Sequence, residues 1–433
     1  MATRLLAALT SLAATCVLQA ASPTPLVVHE WGTFTSVQGQ DGEQVWWQPF
    51  IKTDLPEFVY DAAVGNGGFK GGPLLAGKGA SCIVRMETPV IYFYSDIERE
   101  VDVRVQFPEG AITEWYPQAT RIGPQLMTKA NRTPLASLSQ IEWQGVTILP
   151  RDTTEISASR LIRGRDPARA NHYYAARATN ANLLRVVSPH ASGVEYERDL
   201  FYRGTGNFPG PLTATIDANE TELSLTTSSR EPFADLFVVS IRQGLMRYQR
   251  VAPVIAGEHT TIALDAAPFA DINQVRPQLM DDMVQALQGA GLYPQEARAM
   301  VDTWKDQWFA EEGSRVLYLL PRSWTDRRLP LEVSPRPNEM VRVMVGRAEL
   351  ITPTMERALR QQIMAFKSGD AAIRAEAVSS TRKLGIGRFL GPAVVVAVGK
   401  QADSGRDLIG NALALAQAAS QVDAAGTPTA LNH

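Results

Sequence analysis

Two adjacent glutamates and a nearby arginine, Glu311, Glu312 and Arg315, are the residues whose placement most suggests chemistry. Their context predicts that the glutamates end a helix, where the helix dipole disfavours carboxylates by a few tenths to about 1 kcal/mol. A compensating group is therefore expected: Arg315, Arg322, a bound cation, or an arginine from elsewhere in the fold. The functional interpretation is a catalytic set with acid–base carboxylates, and the alternative is a structural Glu–Arg bridge that docks the helix.

His29, Glu30 and His172 are candidate ligands of a divalent metal ion such as zinc. Both histidines are predicted to lie on strands, where alternate side chains share one face. Imidazoles and carboxylates that meet from neighbouring strands can ligate such an ion. No HExxH or other paired spacing supports the site, so the alternative is that both histidines are partly buried and hydrogen-bonded.

Three further features resemble known functional motifs but lack the accompanying residues that those motifs need. Residues 72–78 match the first part of GxxxxGK, but Gly79 follows where Ser or Thr must coordinate magnesium. Residues 380–383 match the SxxK of penicillin-recognising enzymes, whose Ser-Asp-Asn and Lys-Thr-Gly elements are missing. Cys82 is a lone cysteine if Cys16 leaves with a signal peptide, and such a residue is more often a small buried hydrophobe than a nucleophile.

An amphipathic helix is predicted to carry the two glutamates. Pro294 can begin it, because the first helical residue does not need its N–H. Apolar residues then recur at offsets of three, four, seven and eleven, which places them on one face. These residues are Ala297, Met300, Val301, Trp304 and Trp308. Gly313 is predicted to end the helix, and residues 316–320 are predicted to form a buried strand. Two indoles on one face require a large apolar surface to pack against.

Residues 26–264 have the pattern of many short strands. Residues 101–105 alternate valines with charges, which is typical of a half-buried strand. Together with the aromatic run before them they predict a hairpin across residues 90–107. Residues 213–225 predict a second hairpin with its turn at residues 218–220. Short strands separated by glycine, proline and asparagine favour an antiparallel β-sandwich.

Helices replace strands from about residue 271. Pro277 is predicted to begin a helix that forms an antiparallel hairpin with the Trp-bearing helix. A strand is expected at residues 341–345, and three helices are expected after Pro353, at residues 356–366, 371–384 and 388–398. The predicted class is therefore α+β, with an N-terminal antiparallel β-sandwich region and a mostly helical C-terminal region. The predicted divisions are a signal peptide (1–21), the sandwich (22–270), a helical hairpin plus strands docked on it (271–350), a small helical domain (351–420) and a flexible tail (421–433).

The composition and the N-terminal sequence limit the cellular compartment and the possible binding partners of the protein. The chain has 433 residues, 45% of them hydrophobic, and a net charge of −3, which gives no basic surface for nucleic acid. Arg4, the apolar run 5–18 and the small residue Ala20 predict a secretory signal peptide, with lipidation of Cys16 as an alternative. No later apolar run reaches the ~18 residues of a transmembrane helix. A secreted or periplasmic protein is expected.

Five segments together resemble an uncharacterised family of exported bacterial proteins. They are residues 29–35 (HEWGTFT), 85–94 (RMETPVIYFY), 113–117 (TEWYP), 172–177 (HYYAAR) and 292–321. The resemblance covers most of residues 27–352. It implies export from a bacterial cell and carries no catalytic role, and neither Cys82 nor the C-terminal tail belongs to the pattern.

Two functions remain open from the sequence. The first is a hydrolase-type enzyme with a polar site between the β and helical regions, formed by the glutamate and histidine candidates, because clefts are common where domains meet. The second is a non-catalytic envelope or glycan-binding protein. Its sugar-stacking surface would be formed by Trp31, Trp46, Trp47 and Trp115, for which core packing is the alternative.

Overall fold

The structure is a computed structural model that describes residues 25–47, 55–61, 82–123, 139–150, 161, 171–187, 193–251, 253–399 and 406–420. The predicted signal peptide, the match at residues 72–78 and the predicted tail lie outside the described residues. The chain combines large sheets with a helical C-terminal region, as the sequence predicts.

The described residues contain nineteen strands in three sheets. The first ten are β1 Val27–Gln38, β2 Tyr60–Asp61, β3 Val84–Tyr94, β4 Arg99–Gln106, β5 Gly110–Tyr116, β6 Arg121–Ile122, β7 Gln140–Ile148, β8 Leu184–Val187, β9 Val194–Glu197 and β10 Leu200–Gly206. The others are β11 Leu212–Ile216, β12 Glu222–Thr227, β13 Leu236–Arg242, β14 Leu245–Val251, β15 Thr260–Ala263, β16 Ala270–Asp271, β17 Gly313–Leu320, β18 Leu331–Ser334 and β19 Glu339–Leu350.

Ten strands form a central sheet in the order β16-β14-β13-β17-β19-β1-β3-β10-β5-β2. β1 pairs with β3 in antiparallel fashion but with β19 in parallel, so the sheet is mixed and not purely antiparallel as predicted. The strands of the predicted region 271–350 are also placed differently, because β17 and β19 lie inside this sheet instead of docking on it. A parallel pair joins strands that are distant in the chain, and no local pattern signals it.

The second sheet has the order β18-β4-β7-β8-β9, with β6 beside β7, and β11-β12-β15 form the third sheet. The hairpin predicted across residues 90–107 is wrong, because β3 belongs to the central sheet while β4 pairs with β7 and β18. The alternation along β4 does hold, since Val101, Val103 and Val105 are buried. The hairpin predicted at residues 213–225 is confirmed as β11 and β12.

Two helices, α1 Ile272–Gly289 and α2 Pro294–Phe309, pack on the central sheet. Trp304 and Trp308 are 1% and 0% exposed and share one apolar cluster with Trp31, Leu317 and Val345. The predicted packing of both indoles is therefore confirmed. At roughly 25 cal/mol per Å² of apolar area, two buried indoles stabilise this contact by several kcal/mol.

Both helices have ends that differ from the predicted ones. α1 begins at Ile272 and not at Pro277, because the Asp271 side chain caps it by accepting from the N–H of Asn273, and the proline lies inside the helix. α2 ends at Phe309, and Gly313 adopts a left-handed φ of +118° at the start of β17 instead of capping the helix.

The C-terminal region is helical. After α3 Arg322–Arg328 and the last strands come α4 Pro353–Phe366, α5 Ala371–Lys383, α6 Leu390–Gly399 and α7 Arg406–Ser420. The three helices predicted after Pro353 are confirmed as α4, α5 and α6. They bury Val37 and Trp47 from the β region in a third apolar cluster. Within the described part of the chain, no helix combines the length and apolarity needed to cross a membrane.

Candidate functional site

His29 and Glu30 are neighbours on β1, so their side chains point to opposite faces of the sheet. His29 Nδ1 lies 2.7 Å from Glu296 Oε2 near the start of α2. Glu30 accepts hydrogen bonds from Arg342 Nε at 2.6 Å and from the Tyr202 hydroxyl at 2.5 Å. Each residue therefore has its own buried partners, and the two do not share a site.

His172 lies in the 3₁₀ helix His172–Arg177 and not on the predicted strand, because the Asn171 side chain caps a helical turn here. Its Nδ1 lies 2.7 Å from the carbonyl oxygen of Thr303 in α2. In the described residues, no group of three His, Cys, Asp or Glu side chains could hold a metal ion. The structure therefore does not bring the three predicted metal ligands together.

Arg315 closes the C-terminal end of α2. Its guanidinium donates to the carbonyl oxygens of Gln307, Trp308, Glu311 and Glu312 at distances of 2.7–3.2 Å. A cation at this position is favoured by the helix dipole. The expected compensation is thus found, but it is divided: Arg315 binds the carbonyl oxygens at the end of the helix, whereas the Glu311 carboxylate is paired with Arg347.

Glu311 and Glu312 are held by different partners. Glu311 accepts from Arg347 Nη2 at 2.7 Å, and Arg388 Nε lies 3.9 Å away. Burial opposes ionisation of Glu311, but these two arginines outweigh it and lower the pKa of its carboxyl group. Glu312 accepts from the backbone N–H of Gln243 at 2.9 Å. These contacts favour the structural interpretation of the pair over the catalytic one.

Glu312 also lines a cleft of about 490 Å³ where the central sheet meets α4 and α5. This is the predicted location, between the β and helical regions. Arg242, another lining residue, is paired with Glu220 at 2.7 Å. The residues that line the cleft include no histidine or cysteine, so the cleft has neither of these groups for nucleophilic chemistry.

A bulge interrupts β3 in the middle of the central sheet. Trp31 pairs with Val90 but Thr33 pairs with Glu87, so β3 carries one extra residue, and the pairing of β3 with β10 shifts at the same place. Thr88 in this bulge has a φ of +54°, a left-handed conformation that is unusual for a β-branched residue. Bulges redirect side chains, and such strained residues cluster at functional sites.

Thr88 lines a small pocket, which we call the aromatic pocket, on the face of the central sheet that carries α1 and α2. Its volume is about 40 Å³, which is room for about three water molecules. Its aromatic lining residues are Phe58, Tyr116, Tyr173, Tyr174 and Phe201. Its polar lining residues are Thr88, Arg177, Glu197 and Asp199.

Asp199 is 5% exposed and lies in the turn between β9 and β10. Burial, and next the neighbouring Glu197 carboxylate, raise the pKa of Asp199 well above its ordinary value, while Arg177 and Arg198 act in the opposite direction. Glu197 is itself paired, because Arg177 donates to it from Nε at 3.0 Å and from Nη2 at 2.5 Å. Two neighbouring carboxyl groups in such different environments are typical of an acid–base pair.

Two hydroxyl groups in the aromatic pocket have no hydrogen-bond partner in the described residues, Thr88 Oγ1 and Tyr116 Oη. Their residues are only 1% and 2% exposed. Burial, together with the Glu195 carboxylate, raises the pKa of Tyr116, so its hydroxyl keeps its proton. Buried polar atoms are normally hydrogen-bonded, so these two hydroxyls are exceptions, and their oxygens are too deeply buried to contact a ligand in the pocket as they stand.

Behind the bulge, Glu87 joins several elements through buried polar contacts. Its carboxylate accepts from Thr35 at 2.7 Å and from Arg388 at 2.6 Å, and Arg203 lies 3.9 Å away. Burial opposes ionisation of Glu87, but Arg388 and Arg203 outweigh it and hold its pKa at about 2. The bulge is therefore held from its rear side by a charged cluster.

Three segments of the family resemblance meet at the aromatic pocket: residues 85–94 supply Thr88, residues 113–117 supply Tyr116, and residues 172–177 supply an aromatic wall. These segments are therefore the feature of the sequence from which this site could have been found. Asp199 lies outside them, and no spacing in the sequence singles it out.

The other sequence candidates are buried for the most part. Burial raises the pKa of the Cys82 thiol to about 12, which is the behaviour of a small core residue and not of a nucleophile. Trp31, Trp47 and Trp115 are at most 3% exposed, whereas Trp46 is 52% exposed. The four tryptophans therefore do not form a common surface for stacking a sugar.

No family model matches the chain, and no curated protein matches it. Among solved structures, the chain is similar to the Fcho1 mu homology domain of Danio rerio with a bound Eps15 peptide, at 7% identity and a TM-score of 0.28, covering 76% of this chain and 97% of that chain. It is also similar to the yeast delta-COP-I mu-homology domain complexed with a Dsl1 WxWxV peptide, at 8% identity and a TM-score of 0.27, covering 76% and 99%. These likenesses are too distant to bear on what this chain does.

Proposed function

We propose that the chain is a hydrolase-type enzyme that works in the aromatic pocket, with Asp199 as its proton donor. One observation carries this proposal: a buried carboxyl group without an ion-pair partner of its own in the described residues lines an aromatic pocket beside Glu197, which is paired with Arg177. Glutamates that are fixed in structural bridges, such as Glu311, offer less, because they are ionised, have no proton to give, and already accept from an arginine.

The chemistry follows from the raised pKa of Asp199. A carboxyl group whose pKa is raised keeps its proton to higher pH than an ordinary one, and it can give that proton to a departing oxygen while a water molecule adds to the substrate. The proton of that water then restores the carboxyl group, so the residue ends the cycle unchanged. The aromatic walls limit access of other water, and a less polar surrounding strengthens each electrostatic contact.

The proposal also includes the location of the protein and the arrangement of its sheets. The N-terminal pattern of residues 1–21 and the family resemblance support a secreted or periplasmic location. We also propose that the central and six-stranded sheets form the predicted β-sandwich. Side chains from both sheets, among them Phe93 and Trp143, share one apolar cluster, which supports that arrangement.

A cell-envelope or glycan ligand without catalysis is the alternative proposal. Of the four tryptophans that suggested it, only Trp46 has an exposed ring. A single exposed indole offers one stacking surface, so this alternative has less support than the enzyme.

The test is hydrolysis by the purified mature chain of chromogenic acetate esters, phosphate esters and glycosides. Asp199→Asn keeps the size of the side chain and removes the acid, so it should lower kcat at least about 100-fold. Asp281→Asn, at an exposed residue paired with Arg298, is the matched control and should keep full activity. Equal activity of Asp199→Asn and the wild type, or no hydrolysis of any of these substrates, would contradict the proposal.

A further inference from the structure

We infer that the cleft between the central sheet and helices α4 and α5, which we call the Glu312 cleft, binds a free α-amino acid with an apolar side chain. The ammonium group of this ligand contacts Glu312, and its carboxylate contacts Lys383. The inference goes beyond the proposed function, because the Glu312 cleft shares no lining residue with the aromatic pocket. Its basis is a pair of opposite charges that line one cleft without contacting each other.

Glu312 and Lys383 both line the cleft, and neither has an ion-pair partner within 4.0 Å among the described residues. Glu312 is half-buried and Lys383 is exposed, so a ligand in the cleft can reach both side chains. The two oxygens of the Glu312 carboxylate accept from the backbone N–H of Gln243 at 2.9 and 3.0 Å. A carboxylate has about four acceptor sites, so Glu312 can also accept from an ammonium group.

Arg242 is the third charged residue of the lining, and the protein itself neutralises its charge. Its Nη2 donates to Glu220 at 2.7 Å, and the same carboxylate accepts from the backbone N–H of Thr354 at 2.7 Å. Glu220 thereby occupies both the guanidinium and an N–H in the first turn of α4, which are the groups that would otherwise attract an anion. The charges left for a ligand are one negative and one positive, which matches a zwitterion.

The packing at the end of α5 keeps these two charges close together. A Cβ added at Gly385, two residues after Lys383, would lie 3.1 Å from Glu312 Cγ, so this end of α5 contacts the glutamate. The ammonium and carboxylate groups of an α-amino acid are attached to one carbon, so they can fill a short gap between two charges. A peptide carries its terminal charges at opposite ends and fits such a gap less well.

The rest of the lining suits an apolar side chain. Ile241, Met355, Ala358 and Leu384 supply apolar groups to the cleft. Its volume of about 490 Å³ lies within the range of about 300–1,000 Å³ that is usual for small-molecule sites. Such sites combine apolar walls with a few polar groups that orient the ligand, and the Glu312 cleft has this composition.

Calorimetric titration of the mature wild-type chain tests the inference with three probes that differ by one charged group. Leucine has both charges, 3-methylbutylamine lacks the carboxylate, and 4-methylpentanoate lacks the ammonium group. We expect leucine to bind at least about ten-fold more tightly than either analogue, because each missing group removes a charge-assisted hydrogen bond. Equal affinities for the three probes, no binding of leucine at millimolar concentration, or tighter binding of leucyl-leucine than of leucine would overturn the inference.

Two substitutions assign each contact to its residue. Lys383→Met removes the charge and keeps the length of the side chain, so it should abolish only the preference for leucine over 3-methylbutylamine. Glu312→Gln should abolish only the preference for leucine over 4-methylpentanoate. Lys305→Met and Glu376→Gln, at exposed residues outside the cleft, are the matched controls and should bind leucine like the wild type.

The ratio of affinities within one variant separates ligand binding from a structural role. Lys383 lies in the last turn of α5, where the helix dipole favours a cation. That role can change the stability of a variant, but it cannot make the protein distinguish leucine from 3-methylbutylamine. If Lys383→Met and Glu312→Gln both fold and both keep the two preferences of the wild type, leucine binds elsewhere and the inference is wrong.

Discussion

Arg388 Nη1 lies 2.6 Å from Glu87 Oε1, which joins the helical C-terminal region to β3 of the central sheet. Arg388 comes from the 3₁₀ segment Gly387–Phe389 just before α6, and Glu87 immediately precedes the strained Thr88 in β3. One ion pair therefore fixes both the docking of the helices and the rear side of the bulge that lines the aromatic pocket. Stability and pocket geometry are expected to change together when it is broken.

Removal of Arg388 should destabilise the protein. Arg388→Ala leaves the buried carboxylate of Glu87 without its closest cation, and breaking a buried pair costs about 3 kcal/mol. Urea unfolding of the variant and of the wild type measures this difference. Arg357→Ala is the control, because Arg357 lies exposed in the same region and donates to the Thr354 hydroxyl and not to a buried carboxylate of the described residues. That control should change stability by at most about 0.5 kcal/mol, and equal effects of the two variants would refute the role of the pair.

The Glu87 carboxylate should make stability depend on pH in the acid range. Its pKa is about 2 in the folded chain against an ordinary value of 4.5. A depressed folded pKa contributes stability that is fully present above about pH 5 and is lost as the pH falls through 4.5 towards 2. The contribution at neutral pH is about 3 kcal/mol.

Glu87→Gln isolates this contribution because it removes the titrating group and keeps the side-chain size. The difference in unfolding free energy between wild type and Glu87→Gln should be largest near pH 6 and should shrink steadily between pH 5 and pH 2. A difference that is constant across this range would show that Glu87 does not titrate with a depressed pKa.

Structure that follows from a local periodicity of apolar residues can be predicted from the sequence, and α2 is the clearest case. The spacing of its apolar residues places Trp304 and Trp308 in the core, and the unfavourable carboxylates at its end correctly predict a compensating cation. The aromatic pocket is not predictable in this way. It depends on the one-residue shift at Thr88 between β3 and both neighbouring strands, and on the tertiary packing that places Asp199 in the same pocket as residues distant in the chain. The pairing partner of a strand such as β4 is likewise decided by tertiary packing and not by its alternation.

Arg315 and Arg322 both follow α2 in the chain but should differ strongly in their effect on stability. Arg315 is fully buried, caps α2 and pairs with Glu349 at 3.2 Å, so Arg315→Ala should lose about 3–5 kcal/mol. Arg322 forms an exposed pair with Asp326, so Arg322→Ala should lose at most about 1 kcal/mol. Urea unfolding compares the two variants. A loss from Arg322→Ala as large as that from Arg315→Ala would contradict the capping role.

Gly32 is required by the bulge, since it faces the bulge from the neighbouring strand β1. A Cβ at this position would lie 2.8 Å from Pro89 Cα, a backbone atom that cannot move without moving Thr88. Gly32→Ala should therefore destabilise the chain by about 1–3 kcal/mol, as overpacking does, and should lower the hydrolytic activity proposed for the aromatic pocket.

Gly391→Ala is the matched control for this substitution. Gly391 lies in α6, and a Cβ there would meet no atom within 4 Å. Because alanine is the better helix former, this variant should be neutral or more stable by up to about 1 kcal/mol and should leave the proposed hydrolytic activity unchanged. Thermal unfolding and hydrolysis assays of both variants measure the two effects. If Gly32→Ala loses stability but keeps full activity, the bulge supports the fold without setting the geometry of the pocket.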